Sequence, residues 1–215
     1  MSLQMWESRY KSRGTIRRNV PTIFGSDVID NFPQSGTILD LGAGSGRDTR
    51  FFASQGYQIV SADIADSAHR LSIQNTPDNL KERIEFVSLD MRVGLSFHDN
   101  SFDVVYAHLS LHYFDRLTTS GIIEEVYRVL RKNGVFAFLV NSVNDPEYGK
   151  GPEIEKDMYF ITEDDGEGPK RYFSIDSTKS FVTSFEMILL DNKGEADFKA
   201  ARGIHNLIRY IGRKK

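Results

Sequence analysis

The feature that most constrains the fold is a glycine-rich turn that directly follows a short apolar segment. Residues 37–46 read TILDLGAGSG, and the pattern after them is helical. Gly42, Gly44 and Gly46 let the backbone turn sharply and let a ligand approach it without interference from a Cβ atom. The helix that follows offers unpaired backbone N–H groups at its start. Taken alone, this arrangement indicates either a plain strand-to-helix turn or a ligand-binding turn.

Short apolar segments with the length and composition of buried strands recur along the chain. Helical patterns lie between several of them, which predicts a parallel sheet covered by helices on both faces. We therefore expect an α/β fold with a three-layer, doubly wound, mostly parallel sheet. The predicted strands are residues 37–41, 58–62, 84–89, 102–109 and 134–140, and the predicted helices are residues 20–32, 48–55 and 121–132.

The alternation of strands and helices ends near Val140. Two further strand-like segments follow at residues 184–190 and 204–211, with room for only a short helical turn at 195–201. A short connection favours an antiparallel pair at the edge of the sheet. We expect residues 1–215 to form a single domain. In it, residues 1–36 would form a helical cap, and residues 141–177 an insert that serves as a substrate lid.

Acidic residues end two neighbouring predicted strands. Asp63 lies about 20 residues after the first glycine of the turn, where a carboxylate can accept hydrogen bonds from both ribose hydroxyls. Asp90 ends the next strand, and a carboxylate there can accept from an adenine amine, with Met91 offering an apolar edge. Either residue alone would indicate a helix cap or a turn. Together, beside the glycine turn, they line one crevice at the carboxyl ends of the strands.

These features resemble the seven-stranded, or class I, family of S-adenosylmethionine-dependent methyltransferases. The resemblance covers residues 37–140 well and the carboxyl-terminal strands loosely. Within the family, GAGSGRDTRFFASQGY is similar to the tellurite-resistance and ubiquinone/menaquinone-type small-molecule methyltransferases. The resemblance implies a Rossmann-like methyltransferase fold, with S-adenosylmethionine as the cofactor and a small molecule as the methyl acceptor. Two alternatives stay open: methylation of a macromolecule, and a non-catalytic protein that binds S-adenosylmethionine.

The resemblance also assigns individual residues to parts of the cofactor. By resemblance, the glycine turn and strand tips would hold the nucleoside and the methionine portion, and the amino-terminal segment would fold over them. The residues so assigned are Asp40, Gly42, Ala43 and Gly44 for the methionine portion, Asp63 for the ribose, Ile64, Asp90 and Met91 for the adenine, His108 and Leu109 near the sulfonium, and Tyr10 and Arg13 for the methionine carboxylate.

The glycine spacing argues against a nicotinamide enzyme. The dinucleotide fingerprint is G-x-G-x-x-G, whereas here Gly46 comes one residue early and Arg47 takes the place of the third glycine. A pyrophosphate needs bare backbone at the start of the helix, and S-adenosylmethionine has no phosphate. The spacing therefore favours the sulfonium cofactor.

Candidate catalytic residues follow the fourth strand. His112 and Tyr113 could orient an acceptor or take its proton, although for each the pattern favours a hydrogen-bonded structural residue at a strand-to-helix turn. Transfer from a sulfonium is an in-line displacement that mainly requires alignment of the nucleophile and exclusion of water. The spacing of His108 and His112 would suit two metal ligands on a helix, but no third ligand is evident, so we expect no metal site.

The composition limits the classes of partner that we expect the protein to bind. A formal net charge of -3 gives no general attraction to nucleic acid or to an anionic membrane, and the Asn-Pro-Pro-Tyr motif of DNA adenine methylation is absent. The chain has no cysteine, no apolar run long enough to span a membrane and no leader-like amino terminus. We expect a small-molecule acceptor, no nucleic-acid or membrane partner, a cytoplasmic location, and a monomer or homodimer.

Overall fold

The computed structural model describes residues 2–12, 20–163, 166–194 and 207–215. Its centre is a seven-stranded sheet in the order β3-β2-β1-β4-β5-β10-β9. Strands β1 to β5 are parallel, and β10 lies antiparallel between β5 and β9. These seven strands are β1 (Thr37–Leu41), β2 (Gln58–Asp63), β3 (Ile84–Ser88), β4 (Phe102–His108), β5 (Leu130–Val140), β9 (Phe185–Asp191) and β10 (Ile208–Lys214). This topology confirms the predicted fold class, including the antiparallel carboxyl-terminal pair.

Helices cover both faces of this sheet. Alternate residues of a strand point to opposite faces, so Ile38 packs with one buried cluster while Leu39 and Leu41 pack with another. The first cluster includes residues of α2 and α3, and the second includes residues of α6 and α7. The described helices are α1 (Leu3–Ser12), α2 (Ile23–Val28), α3 (Arg47–Ser54), α4 (Asp66–Asn75), α5 (Asp78–Lys81), α6 (Arg116–Val129) and α7 (Ile175–Phe181).

The predicted boundaries of the helix at 121–132 are wrong at both ends. The side chain of Asp115 accepts a hydrogen bond from the backbone N–H of Thr118, which starts α6 before the apolar periodicity begins. At the other end, Leu130 is extended, fully buried and paired with Phe102 of β4. Burial of Leu130 in the sheet thus overrides the local helical pattern, and β5 starts earlier than the predicted 134.

The predicted helix at residues 20–32 is shorter in the structure. The hydroxyl of Thr22 accepts a hydrogen bond from the backbone N–H of Gly25, so that α2 begins only at Ile23. A short 3₁₀ turn at Ile29–Asn31 then leads out of α2. Helix α1 precedes this region, and residues 13–19, including the predicted cofactor residue Arg13, lie outside the described ranges.

The insert forms a small sheet of its own, which the sequence pattern did not predict. Strands β6 (Glu153–Glu155), β7 (Met158–Glu163) and β8 (Gly166–Arg171) pair antiparallel in that order. Helix α7 follows the sheet and leads to β9. The predicted helical turn at 195–201 lies outside the described residues. Among the helices of the described ranges, none is both long and apolar enough to cross a membrane.

Candidate active site

The glycine turn between β1 and α3 adopts a backbone that side chains disfavour. Gly42, Gly44 and Gly46 have φ of 80°, 57° and 72°, all in the left-handed region. The backbone N–H groups of Gly42 and Ala43 both donate to the carbonyl oxygen of Ala62 on β2, at 2.8 and 3.0 Å. These two backbone hydrogen bonds therefore fix the start of the turn to the neighbouring strand.

Side chains from other segments lie directly against this turn. A Cβ atom on Gly42 would collide with Ser110, and one on Gly44 would lie 2.5 Å from the hydroxyl oxygen of Tyr10. The hydroxyl of Ser110 donates to the carbonyl oxygen of Leu41 at 2.6 Å. The turn is thus a cradle that only glycine can form. Tyr10 of α1 lies over it, and its contact with the methionine carboxylate stays a prediction.

Asp63 at the tip of β2 is buried and holds the turn in place. One carboxylate oxygen accepts the backbone N–H of Gly44 at 2.8 Å, and the other accepts that of Ala65 at 2.9 Å. Burial raises the pKa of Asp63, while these two hydrogen bonds act in the opposite direction. Each carboxylate oxygen keeps a second lone pair for a further donor. The ribose role of Asp63 stays a prediction, and Ile64 lies half-buried beside it.

Asp40 on β1 lies beneath the turn among other polar groups. The hydroxyl of Thr49 donates to its carboxylate at 2.5 Å and contacts the hydroxyl of Ser61. Burial raises the pKa of Asp40 to about 7, and the charge of Asp48 adds to this rise, whereas the hydrogen bond from Thr49 lowers it. The carboxyl is therefore poised between its neutral and charged forms near neutral pH.

Asp48 anchors a buried network that the sequence did not reveal. Its carboxylate accepts from the backbone N–H and the hydroxyl of Thr22, at 2.7 and 2.8 Å, and from the hydroxyl of Tyr106 at 2.7 Å. Arg47, beside it, donates to the carbonyl oxygens of Val20 and Pro21. The start of α3 thereby binds the chain that leads into α2. An acidic residue in the first turn of a helix was the only signal, and it has a simpler explanation in the helix dipole.

Asp90 and Met91 lie on the far side of the crevice. Arg92 donates two side-chain hydrogen bonds to the Asp90 carboxylate, with Nη2 at 2.6 Å from Oδ2. These hydrogen bonds hold the pKa of Asp90 below its usual range, so that it stays charged. The terminal methyl of Met91 lies 3.5 Å from the Cβ position of Gly42. The sequence missed Arg92 as the partner of Asp90, and the adenine role of both predicted residues stays a prediction.

The end of β4 contains an unusual backbone conformation. Leu109 has a φ of 54°, which is rare for a residue with a branched side chain, and its N–H donates to the carbonyl oxygen of Leu139 on β5. His108 before it stacks on Tyr106, with ring centroids 6.4 Å apart. Strained residues of this kind concentrate at functional sites. His108 and Leu109 therefore lie where the chain leaves β4, and their place near the sulfonium stays a prediction.

His112 and Tyr113 lie in the 3₁₀ turn after β4 and form part of an aromatic row. His112 is buried, and its ring centroid lies 4.2 Å from that of Tyr113. Trp6 of α1 meets Tyr113 edge-on at 4.9 Å and stacks on Tyr10 at 6.3 Å. The row thus runs from the glycine turn to His112. The structure brings the two predicted catalytic residues together with α1, and their catalytic role stays a prediction.

The insert is fixed beside this aromatic row by two buried or half-buried charges. Arg171 of β8 donates to the carbonyl oxygen of Phe114 at 3.0 Å and forms an ion pair with Glu155. Glu155 in turn accepts the backbone N–H of Arg116 at 2.7 Å. Three aromatic residues of the insert pack on one another: Tyr148, Tyr159 and Tyr172. Within the described ranges, no group of three or more His, Cys, Asp and Glu side chains is placed to bind a metal ion.

The fold and crevice define a nucleoside-binding α/β protein, and comparison with known proteins gives its family. Residues 39–138 match the methyltransferase domain family. A SAM-dependent methyltransferase of Methanosarcina mazei superposes with a TM-score of 0.75 at 25% identity, covering 87% of this chain and 96% of the other. The family match, which covers a little under half of the chain, and this superposition support a class I S-adenosylmethionine-dependent methyltransferase.

Two curated relatives are similar to part of the chain. An uncharacterized methyltransferase of Schizosaccharomyces pombe is 34% identical over 134 residues, which is 59% of this chain and 48% of the relative. Sterol 24-C-methyltransferase of Kluyveromyces lactis is 27% identical over 162 residues, which is 74% of this chain and 42% of the relative. The match therefore spans less than half the length of these relatives. The similarity to tellurite-resistance and ubiquinone/menaquinone-type enzymes stays a prediction.

The crevice fits the cofactor of this family, S-adenosylmethionine. The turn offers bare backbone where a Cβ atom would collide, and Asp63 retains lone pairs for ribose hydroxyls. Asp40 lies buried beneath the turn, and its contact with the methionine portion stays a prediction.

Proposed function

We propose that the protein transfers a methyl group from S-adenosylmethionine to a small-molecule acceptor. The observation that carries this proposal is the aromatic row of Tyr10, Trp6, Tyr113 and His112, which roofs the crevice from the glycine turn outwards. A narrow aromatic wall of this kind suits a small, largely apolar acceptor. The net charge of -3 gives no support for a nucleic-acid substrate.

Methyl transfer requires little from the protein beyond alignment of the acceptor with the methyl group of the cofactor. S-adenosylmethionine supplies an activated methyl group on a sulfonium. In our proposal, the glycine turn and Asp63 fix the methionine and ribose portions, while Tyr113 and Trp6 position the acceptor and exclude water. His112 would take the acceptor's proton where one must leave, and it would act as an orienting group where none does.

The insert, residues 141–177, serves in this proposal as the lid over the acceptor. Its anchor at Phe114 and Arg116 puts it next to the turn that carries His112 and Tyr113. Limited proteolysis should show slower cleavage within the insert when cofactor and acceptor are both bound. Equal protection with and without these ligands would show that the insert is a fixed structural unit.

The proposal is tested by binding and then by turnover. Calorimetry should show binding of S-adenosylmethionine and S-adenosylhomocysteine, and failure to bind either at millimolar concentration would end the proposal. Formation of S-adenosylhomocysteine should then be followed with a panel of small acceptors. Sterols belong in this panel, since one relative is a sterol 24-C-methyltransferase. Binding without turnover on any small acceptor would favour the two alternatives, a macromolecular acceptor or a non-catalytic binder.

A further inference from the structure

Helix α1 contacts four separate parts of the molecule at the same time. Its aromatic residues contact the glycine turn and the 3₁₀ turn that follows β4, and its first turn contacts the insert. Its one carboxylate meets the start of α4. The four contacts are Met5 with Gly166, Trp6 with Tyr113, Glu7 with Ser67, and Tyr10 with Gly44. The helix therefore connects both sides of the crevice, and its attachment decides whether the crevice is covered.

The contact of Glu7 replaces a missing helix cap. Helix α4 starts after Ala65, a residue with no side chain that could cap the free N–H groups. Glu7 supplies this cap from another helix: its Oε1 accepts the backbone N–H of Ser67 at 3.2 Å. The hydroxyl of Ser67 returns a hydrogen bond to the backbone carbonyl of Glu7, also at 3.2 Å. Two reciprocal hydrogen bonds thus join α1 to α4.

The start of α4 is also part of the cofactor crevice. Asp63, Ile64 and Ala65 form the segment between β2 and α4, and Asp63 accepts hydrogen bonds from both Ala65 and Gly44. Glu7 caps the helix that begins at the end of this segment. Its carboxylate is therefore connected through one short stretch of backbone to the group that fixes the glycine turn.

The ion pairs of Glu7 contribute less than this cap. Lys11 and Arg70 lie 3.5 and 3.8 Å from its carboxylate, and both are about two-thirds exposed, with side-chain exposures of 65% and 67%. Exposed pairs of this kind are weak because solvent screens them. The Glu7 side chain itself is only 19% exposed. The hydrogen bond to the Ser67 N–H is therefore the strongest polar contact of the Glu7 side chain, and it acts beside the contacts of Trp6 and Tyr10.

We propose that Glu7 is a positioning residue that latches α1 over the cofactor crevice by capping α4. While the latch is closed, Tyr10 stays over Gly44 and Trp6 stays against Tyr113. Release of the cofactor product then requires the Glu7–Ser67 contact to open. This inference rests on the proposed function of the crevice as the cofactor site.

Trp6 gives a direct way to observe the latch, because it is the only tryptophan in the chain. Acrylamide quenching of its fluorescence reports whether α1 is docked, and stopped-flow displacement of S-adenosylhomocysteine by excess S-adenosylmethionine reports the release rate. Both are measured on the wild-type chain and on Glu7→Ala, Glu7→Gln and Lys11→Ala. Denaturant unfolding of each variant shows that the rest of the fold is intact.

Glu7→Ala should make Trp6 more accessible to acrylamide and should speed dissociation of S-adenosylhomocysteine about tenfold, since a hydrogen bond to a charged group is lost. Glu7→Gln keeps an oxygen that accepts the same N–H and should restore a rate within about threefold of wild type. Lys11→Ala keeps the cap and should leave both readouts unchanged.

Two results would overturn the latch. One is a Glu7→Ala variant with wild-type quenching and dissociation, whatever its change in unfolding. The other is a Glu7→Gln variant as defective as Glu7→Ala, which would assign the effect to charge. A wild-type chain that binds no S-adenosylhomocysteine would instead refute the proposed function, and the quenching series would still decide whether Glu7 holds α1. Should Glu7→Ala fail to fold, Ser67→Ala, which removes the returning hydrogen bond, must show a smaller change in the same direction.

Discussion

The two sides of the crevice are built from different kinds of contact. One side is formed by the glycine turn and Asp63, and in our proposal it is the cofactor side. There, neighbouring strand ends are joined through backbone groups, as where Gly42 and Ala43 donate to the carbonyl oxygen of Ala62. The other side is formed by the 3₁₀ turn that carries His112 and Tyr113, and in our proposal it is the acceptor side. There, segments far apart in the sequence meet through side chains, as where Trp6 packs against Tyr113. Arg171 likewise reaches across to the carbonyl oxygen of Phe114.

This difference has a consequence for how each side tolerates change. Backbone contacts between adjacent parallel strands form whenever the sheet forms, and they leave little room for substitution. Side-chain contacts between separate segments can be altered one residue at a time. We therefore expect changes on the cofactor side to abolish cofactor binding, and changes on the acceptor side to alter covering and selectivity while cofactor affinity is kept.

The largest effect is expected for Gly42→Ala on the cofactor side. Alanine at this position would have to keep the left-handed backbone conformation, which costs about 1–3 kcal/mol. Its Cβ atom would also collide with Ser110. Binding of S-adenosylhomocysteine by calorimetry should fall by at least about tenfold. Gly56→Ala is the matched control, because Gly56 has a φ of 100° with open space around it. Equal loss in both variants would show that the close packing at Gly42 is irrelevant.

Asp63→Ala should weaken cofactor binding by about 1.5–3 kcal/mol, because a buried charged acceptor is removed. Loss of the hydrogen bonds from Gly44 and Ala65 would also loosen the turn. Calorimetric dissociation constants for the wild type and the variant test this, with Asp78→Ala, an exposed acid at the start of α5, as the control. An unchanged constant would mean that the ribose lies elsewhere.

Asp40 should make the free energy of unfolding depend on pH in a characteristic way. Burial raises its pKa to about 7 in the folded protein, above the ordinary value of about 3.9, so the folded state retains a proton between these limits. The stabilisation is fully present below about pH 4 and is lost as the pH rises towards 7. Asp40→Asn should flatten the free energy of unfolding over this window, by up to ~1 kcal/mol per pH unit. Identical urea-unfolding profiles for the two proteins would refute a raised pKa at Asp40.

The smallest effect on the cofactor should come from the acceptor side. Tyr113→Leu removes the edge-on contact with Trp6, worth about 1 kcal/mol, and should make Trp6 more accessible to acrylamide. Affinity for S-adenosylhomocysteine should change by less than about threefold. Tyr113→Phe keeps the ring and should behave like the wild type. A large loss of cofactor affinity in Tyr113→Leu would remove the distinction between the two sides.

Much of the fold could be predicted because its strands are buried on both faces. The segment 37–41 is nearly continuous in apolar residues, and the structure places β1 at Thr37–Leu41 as predicted. The glycine turn was recognisable because its φ values exclude other residues. The ends of α6 were not predictable, since the burial of Leu130 against β4 depends on partners distant in the chain.

The site was harder to predict where side chains from separate segments meet. The pairing of β6, β7 and β8 is antiparallel and polar, and its Gly-rich sequence has no strand periodicity. The bonding of Asp48 to Thr22 and Tyr106 joins three segments that no local pattern connects. The cap that Glu7 gives to α4 is equally invisible in sequence. The predicted ligand roles of the crevice residues stay predictions.

The left-handed conformation of Leu109 determines where this enzyme could be recombined with a relative. The backbone N–H of Leu109 is still bonded to Leu139 of the sheet, and Leu109 is the first residue after β4 that departs from regular strand geometry. A chimera that exchanges the segment beginning at Ser110 would keep the left-handed backbone conformation of Leu109, from which that segment starts. One cut before Leu109 would have to rebuild that uncommon backbone in a foreign sequence. Transplanted acceptor loops should therefore be joined immediately after Leu109.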